Sequence, residues 1–533
     1  MASAVEMTEM HDVHLAPKPG TQADAQDMRR MGKLQELNRL YTCMTLVGYA
    51  VIVGLAWPFA LVTGALALTN GGAAGAVWVF LAVAVGMFSV VLSMAEMASI
   101  EPTAGGQYHW VSVFVPKKHQ KIVSYVVGWM CALGWQSYVP GAANICASSL
   151  QALAVVASDS YVPQAWHLVL LTIVFCSFAI LFNVFLARKL PGIEAGVFTL
   201  YVLGFIAFFI ILLAMGDRSS PNEIFTHFQD NAGWNSIGTA CFVGVSGPVI
   251  TMIGADSAVH LAEELKDASR SLPKAMITTA LVNYALGFAM LVAFISVVGN
   301  IDEVLESTTG QAWVQVIWNA TQSRTATIVM VAIIIFFYIF CAVNVNTTSS
   351  RQLYAFARDG GLPFSNWIRH VSPNRNVPTN AIILTWLIGC GLAVIPLGSS
   401  TAFLNIQTIG NAGLLSSYII CIGCRIHNRN FGSVYGSLSK PPPFFLGKTR
   451  GNVINGLAIC FLIVFLVSGA FPVAPNPTPD AMNWSSLALV LTIIVALIAY
   501  VPLRKSYLGP NEGGFGPVET VNVQMESKSF DRP

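Results

Sequence analysis

Apolar residues in this chain gather into twelve long blocks, near 41–66, 73–98, 122–157, 168–187, 193–215, 236–260, 274–299, 325–356, 378–397, 402–424, 453–472 and 484–503. Short polar stretches separate them. A bilayer core of about 30 Å needs roughly 20 apolar residues in helix, so each block predicts a membrane-spanning helix. Strands of a membrane barrel would show about ten residues of strict alternation, and nothing here alternates. The pattern predicts an all-α integral membrane protein with 12 transmembrane helices, called spans 1 to 12 below.

Charge sharpens this picture. Only 10% of the 533 residues are charged, against about 25% in soluble domains. The net charge of +2 says little; the placement of the charges says more. With the N-terminus in the cytoplasm, 26 of the 28 lysines and arginines fall in inside segments, leaving Arg218 and Arg324 outside. That asymmetry predicts twelve spans with both termini cytoplasmic. The first apolar run is too long for a signal-peptide core and reads as a retained span. Two glycosylation sequons, at Asn319 and Asn483, fall in predicted outside loops.

The blocks also repeat. Spans 1 and 6 begin about 195 residues apart, and spans 2 and 7 about 201. This suggests two five-span halves, 41–215 and 236–424, then an extra pair at 453–503. Residues 1–40 and 504–533 read as cytoplasmic tails, the first without fixed structure. Five is odd, so the second half enters the membrane from the other side. That is the inverted-repeat plan of secondary transporters, which bind solute where paired helices break near the midplane.

Candidate breaks stand at matching positions. Span 1 reads Val53-Gly54-Leu55-Ala56-Trp57-Pro58, and span 6 reads Gly247-Pro248 and then Ile253-Gly254-Ala255-Asp256. Proline removes a donor and glycine permits unusual dihedrals. The competing reading is glycine used for ordinary helix packing. Asp256 is the most informative single residue, since a carboxylate at mid-membrane costs about 2.5–3.5 kcal/mol. It suits a proton carrier, a gate or a contact to a cation; the alternative is a structural acceptor. His260, Glu263 and Glu264 follow at helical spacing and suit a solvated or gating ion-pair role at the cytoplasmic mouth. Glu96 and Glu194 sit near span ends, where snorkelling or loop contacts explain them. Trp135, Gln136, Tyr138 and Asn144 in span 3, Tyr338, Asn344 and Asn346 in span 8, and Asn405, Gln407 and Asn411 in span 10 read first as interhelical glue.

No phosphate-binding loop, H-E-x-x-H or G-x-S-x-G occurs, so neither ATP-driven pumping nor an enzyme is predicted. Cys421 and Cys424 form a C-x-x-C inside an apolar run with no second pair, which predicts no metal site. The basic loops follow from topology and need no nucleic acid.

Three loop motifs add a resemblance. They are Ala95-Glu96-Met97-Ala98-Ser99-Ile100-Glu101-Pro102-Thr103-Ala104-Gly105-Gly106-Gln107-Tyr108-His109-Trp110, Gly254-Ala255-Asp256-Ser257 through Glu263-Glu264, and Ser350-Arg351-Gln352-Leu353-Tyr354-Ala355-Phe356-Ala357-Arg358-Asp359-Gly360-Gly361-Leu362-Pro363. Over roughly 35 to 505 the chain resembles the amino acid–polyamine–organocation superfamily, most of all its fungal amino acid/GABA/choline permease branch. The resemblance implies a LeuT-type fold of five plus five inverted helices with two more, and proton-coupled symport without a cofactor. It implies a small amine-bearing solute held by Val53, Gly54, Leu55, Ala56 and Trp57 on one side and Ile253, Gly254 and Ala255 on the other. Asp256, His260 and Glu263 would couple or gate. Span 1 departs from many relatives in having no polar side chain before Trp57, which leaves choline-like, quaternary-ammonium or polyamine substrates open. A transport-inactive nutrient sensor is the rival from another class. The expected location is the plasma membrane.

Overall fold

The computed structural model describes residues 20–299, 301–507 and 509–510. Among them are 12 helices long and apolar enough to cross a membrane. Span 1 is Cys43–Gly54 followed by Ala56–Thr69. Spans 2 to 5 are Gly72–Ile100, Gln120–Ala157, Ala165–Phe185 and Leu190–Met215. Span 6 has three pieces: Ile237–Gly244, Ser246–Met252 and a 3-10 stretch, Ala255–Glu264. Spans 7 to 12 are Ala268–Ser296, Arg324–Arg358, Thr379–Ala393, Ser400–Phe431, Lys448–Ser468 and Ser485–Leu503.

Each expected run has its helix. The largest boundary differences are at polar ends: span 7 starts at Ala268 and span 10 runs on to Phe431. Hydropathy marks the zone that fits lipid, whereas the helix continues wherever polar side chains find partners. Arg429, within the extra turns of span 10, is bound to Glu96.

Span 1 is apolar on every side and lies inside, with 83% of its apolar window buried; span 12 lies at the periphery, with 6%. Span 8 packs along span 3, span 7 along spans 1 and 2, and span 10 along span 3. Residues Asn70–Gly71 pair antiparallel with Gln229–Asp230, tying the loop after span 1 to the one before span 6.

The segment before span 1 differs from the expected unstructured tail. It carries a capped helix, Gln22–Arg30, and then packs across the ends of spans 6 and 8. The remainder of both predicted tails, residues 1–19 and 511–533, lies outside the described residues. The side of the molecule that holds residues 20–42 and the end of span 12 is called the terminal face below.

Candidate functional site

Span 1 breaks at one residue. Leu55 adopts the left-handed region, φ 41° and ψ 44°, between two helices. A branched-chain residue pays a steric cost there, so the surroundings must hold it. They do: Asn283 Nδ2 of span 7 donates to Val51 O at 3.3 Å, and Cys341 Sγ of span 8 lies 3.4 Å from Val53 O. Gly54 is required by closeness, because a Cβ there would stand 2.5 Å from Asn283 Nδ2.

The break in span 6 is longer. Met252 ends the helix, Ile253 is extended, and Gly254 takes φ 111°. Tyr284 of span 7 donates its hydroxyl to Met252 O at 3.3 Å. A Cβ on Gly254 would meet only Val53 Cγ1, at 3.6 Å. The two breaks therefore face each other across Val53 and Gly254, with Gly54, Leu55, Ile253 and Ala255 flanking that contact in the chain. Trp57 does not join them. Its indole donates to Tyr201 O at 3.2 Å and packs against Phe208 and Phe337 on spans 5 and 8. These contacts tie the helix that follows the break to spans 5 and 8. Ala56 is buried at the start of that helix.

Beyond Gly254 the chain winds as a ten-residue 3-10 stretch with every side chain buried. Asp256 Oδ2 accepts from Gln107 Nε2 at 2.9 Å; Gln107 opens the short helix Gln107–Phe114 on the terminal face. His260 Nε2 lies 4.0 Å from the same oxygen, and the Tyr418 hydroxyl of span 10 stands beside the carboxyl. Asp256 Oδ1 has no hydrogen-bond partner among the described residues. His260 Nδ1 is 2.9 Å from Ala104 O, and its ring stands edge-on to Trp135.

Glu263 and Glu264 differ from one of their expected forms: they are not solvated. Arg358 grips Glu263 with two nitrogens, at 2.7 and 2.8 Å, while Thr103 and the Ala104 amide donate to it at 3.1 and 3.2 Å. Arg351 Nε donates to Glu264 at 2.9 Å. The N-terminal segment locks over these pairs. Gln35 donates to Glu263 O, Arg39 to Ala262 O, and Tyr41 exchanges backbone bonds with Glu264 and Lys266. Lys33 pairs with Asp359 at 2.9 Å, and Arg30 with Glu101 at 2.6 Å. Residues 33–41 thus cover the end of the 3-10 stretch on the terminal face.

Glu96 and Glu194 also depart from the interface reading. Glu96 is fully buried between Arg425 and Arg429. Glu194 is fully buried with neither carboxyl oxygen hydrogen-bonded among the described residues. Each lies near the end of an apolar run, and neighbouring spans cover it, which hydropathy does not register.

A cavity of about 250 Å³ runs beside the span 6 segment before the break, lined by Ser246, Gly247 and Ile250 with Gln407 and Asn411 of span 10. Asn411 accepts from the Tyr138 hydroxyl of span 3. Asn411 and Tyr418 are two turns apart on span 10, so one helix joins the cavity to Asp256. Of the polar residues read as glue, Asn344 does hold span 1, through Tyr49 O, and Asn183, which the sequence reading passed over, clasps Thr347. Gln107, Tyr201, Asn283 and Tyr418 were not singled out as site residues. Gln107 lay within a quoted loop motif; the others are lone polar residues in apolar runs, a signal that does not say which way they face.

Comparison with known proteins identifies the family. The family described as Amino acid permease matches residues 42–497. A protein of Macrophomina phaseolina, provisionally named an amino acid/polyamine transporter, is 30% identical over 83% of this chain and 97% of its own. The choline transporter of Saccharomyces cerevisiae is 28% identical over 93% of this chain and 86% of its own. The GABA-specific permease of that yeast is 28% identical over 91% and 85%. This chain belongs to the amino acid permease family and is a multi-pass membrane transporter of small solutes, not an enzyme.

Proposed function

We propose that the protein is a proton symporter carrying an amino acid, GABA or a related small amine, built as an inverted repeat of 41–215 and 236–424, in the plasma membrane with both termini cytoplasmic. One observation carries this reading: the breaks of spans 1 and 6 meet across Val53 and Gly254, and a buried carboxylate follows directly. Solute enters through the cavity at Gln407 and Asn411. Its ammonium sits at the carbonyl-rich break of span 6, near Asp256. On this reading residues 33–41 cover the cytoplasmic end of span 6 in this conformer. Protonation of Asp256 weakens its grip on Gln107 and so loosens the loop helix over the exit.

A second reading, a choline-like or polyamine substrate, has its own support. Amide groups at the span 1 break are scarce: Pro58 has none, Phe59 N donates to Leu55 O, and Trp57 N points to the Tyr201 hydroxyl at 3.4 Å. A carboxylate finds few donors there, whereas a cation finds carbonyls and Asp256. The test is uptake of labelled GABA, choline, putrescine and single amino acids into vesicles after an acid step outside. Asp256→Asn is expected to abolish accumulation of the accepted solute while leaving exchange. Wild-type accumulation in that variant, or no response to the pH step, overturns the coupling role.

A further inference from the structure

A groove of about 910 Å³ runs between spans 3, 9 and 12, lined by Trp129, Leu133, Leu384, Ile388, Leu491 and Val495. Its remaining walls are apolar except for Gln136 and Thr492. Gln136 donates its amide hydrogens to Ser349 O and Thr385 Oγ1, and Thr492 its hydroxyl to Ala488 O, so neither offers a donor inside the groove. Ile388 stands about 14 Å along span 9 from its start at Thr379, at about 1.5 Å per residue. Half of a hydrocarbon core measures about 15 Å. The groove therefore runs from the terminal face to about the midplane, the depth of one lipid leaflet.

At its terminal-face mouth the groove meets a second cavity, of about 640 Å³; Leu362, Phe364 and Trp367 line both. Two of these are exposed aromatics, Phe364 by 86% and Trp367 by 48%. Phe364 also holds φ 56°, a left-handed conformation that a bulky side chain adopts only under constraint. The second cavity is polar, with Lys33, Glu36, Arg358, Asp359, Asn366 and Arg369 in its walls. Asp359 takes Lys33, Glu263 takes Arg358, and Tyr354 donates to Glu36. Arg369 is exposed and has no ion pair or side-chain hydrogen bond among the described residues. Arg504 and Lys505, exposed beside the lining Leu503 and Ser506, add two more positive charges. The surplus charge on this rim is positive.

A polar chamber with spare cations, opening into an apolar slot one leaflet deep, fits an amphiphile with an anionic head. Aromatic rings at the junction suit the boundary between headgroups and chains. Each Lys or Arg near an anionic leaflet strengthens attachment by about fivefold. We propose that these two cavities form a binding site for an anionic phospholipid, with its phosphate at Arg369, its glycerol beside Phe364 and Trp367, and one acyl chain in the groove between spans 3, 9 and 12. An uncharged sterol would fill the groove but leave Arg369 without a partner. The assignment to the cytoplasmic leaflet rests on the reading above that the terminal face is cytoplasmic; the binding itself does not.

The test is lipid retention by the full-length protein, released from vesicles of phosphatidylcholine and phosphatidylserine and weighed by native mass spectrometry. The wild type is expected to keep phosphatidylserine in preference to phosphatidylcholine. Arg369→Ala should lower the retained phosphatidylserine about fivefold, whereas Lys118→Ala, an exposed lysine elsewhere on the terminal face, should not. Val495→Trp fills the groove at a position 53% exposed, where folding tolerates change. It should lower retention as well, with an unchanged melting temperature in phosphatidylcholine alone. Equal retention of the two lipids overturns the proposal, and so does an equal loss in Lys118→Ala or full retention in both Arg369→Ala and Val495→Trp. Ergosterol added to the vesicles should not displace phosphatidylserine; displacement, with sterol binding undiminished in Arg369→Ala, overturns it in favour of a sterol site. A terminus found outside the cell overturns the leaflet assignment alone, and failure of the symporter reading would leave the retention unchanged.

Discussion

The breaks in spans 1 and 6 solve the same problem differently. The span 1 break is one residue wide, with regular helix on both sides, and its loose backbone groups are taken by Asn283, Cys341 and Tyr201. The span 6 break opens into a ten-residue 3-10 stretch. Such helices rarely exceed three or four residues because their hydrogen bonds are poor. This one persists because side chains hold it from outside: Gln107 on Asp256, Arg358 on Glu263 and Arg351 on Glu264. Span 1 is therefore a fixed seat, and span 6 is an element whose shape depends on contacts that can be switched.

The largest effect should come from cutting one of those contacts. Arg358→Ala leaves Glu263, which is 1% exposed, without its bidentate partner. Removing one member of a buried pair costs about 3–5 kcal/mol. A thermal melt should fall accordingly, and residues 20–42 should become open to protease. An unchanged melt would mean that the span 6 stretch holds itself.

Glycine substitutions separate the two breaks next. At Gly54 the obstacle is steric, since a Cβ meets Asn283 Nδ2 at 2.5 Å. At Gly254 there is space, but φ 111° strains any other residue, by about 1–3 kcal/mol. Gly54→Ala should therefore be rescued in stability by Asn283→Ala, whereas Gly254→Ala should not be rescued by Val53→Ala. Melting curves of the four single and two double variants form two double-mutant cycles, and coupling of about 0.5–3 kcal/mol is expected only in the first. Solute affinity should drop in Gly254→Ala whatever its stability.

Twelve spans, the two breaks and an acid at Asp256 inside the spans were all legible in the sequence. Each leaves a local mark: a long apolar run, a glycine with a proline, an acid where none is affordable. What was not legible depends on facing. Trp57 looked like a site residue because it follows the break, yet a single helical turn carries its ring to span 5. Glu194 looked peripheral because it opens an apolar run, yet spans 1 and 8 cover it. The structured segment before span 1 was missed because its stabilising partners, Glu101, Glu263 and Asp359, are distant in the chain.

A smaller change tests the donor-poor character of the span 1 break. Tyr201→Phe removes the hydroxyl that receives Trp57 N–H and donates to Asn283 Oδ1 at 3.2 Å. Losing such a bond costs about 1 kcal/mol. The freed amide should also favour solutes with a carboxylate, raising the ratio of GABA to choline uptake by about fivefold, the equivalent of about 1 kcal/mol. An unchanged ratio would detach Tyr201 from substrate choice.

The smallest effect should be a flat response of the N-terminal lock to mild acid. Among the carboxylates that hold it, Asp359 and Glu101 lie outside the spans and pair with its Lys33 and Arg30. Burial works against ionisation of Asp359, but Lys33 and Arg358 keep it below its ordinary 3.8. Burial likewise opposes Glu101, yet His109 and Arg30 keep it below 4.5. A depressed carboxylate contributes stability that is fully present above its unfolded value and is lost as pH falls through the folded one. Both values lie on the acid side of 4.5, so the contribution is intact from neutrality down to about pH 5. His109, lowered by burial, stays neutral over the upper part of this range and adds no switch near pH 7. Hydrogen exchange of residues 20–42 should therefore be equally protected at pH 7 and pH 5, then rise in stronger acid. Early loss of protection near pH 6 would assign the proton-sensitive step to this lock and away from the break in span 6.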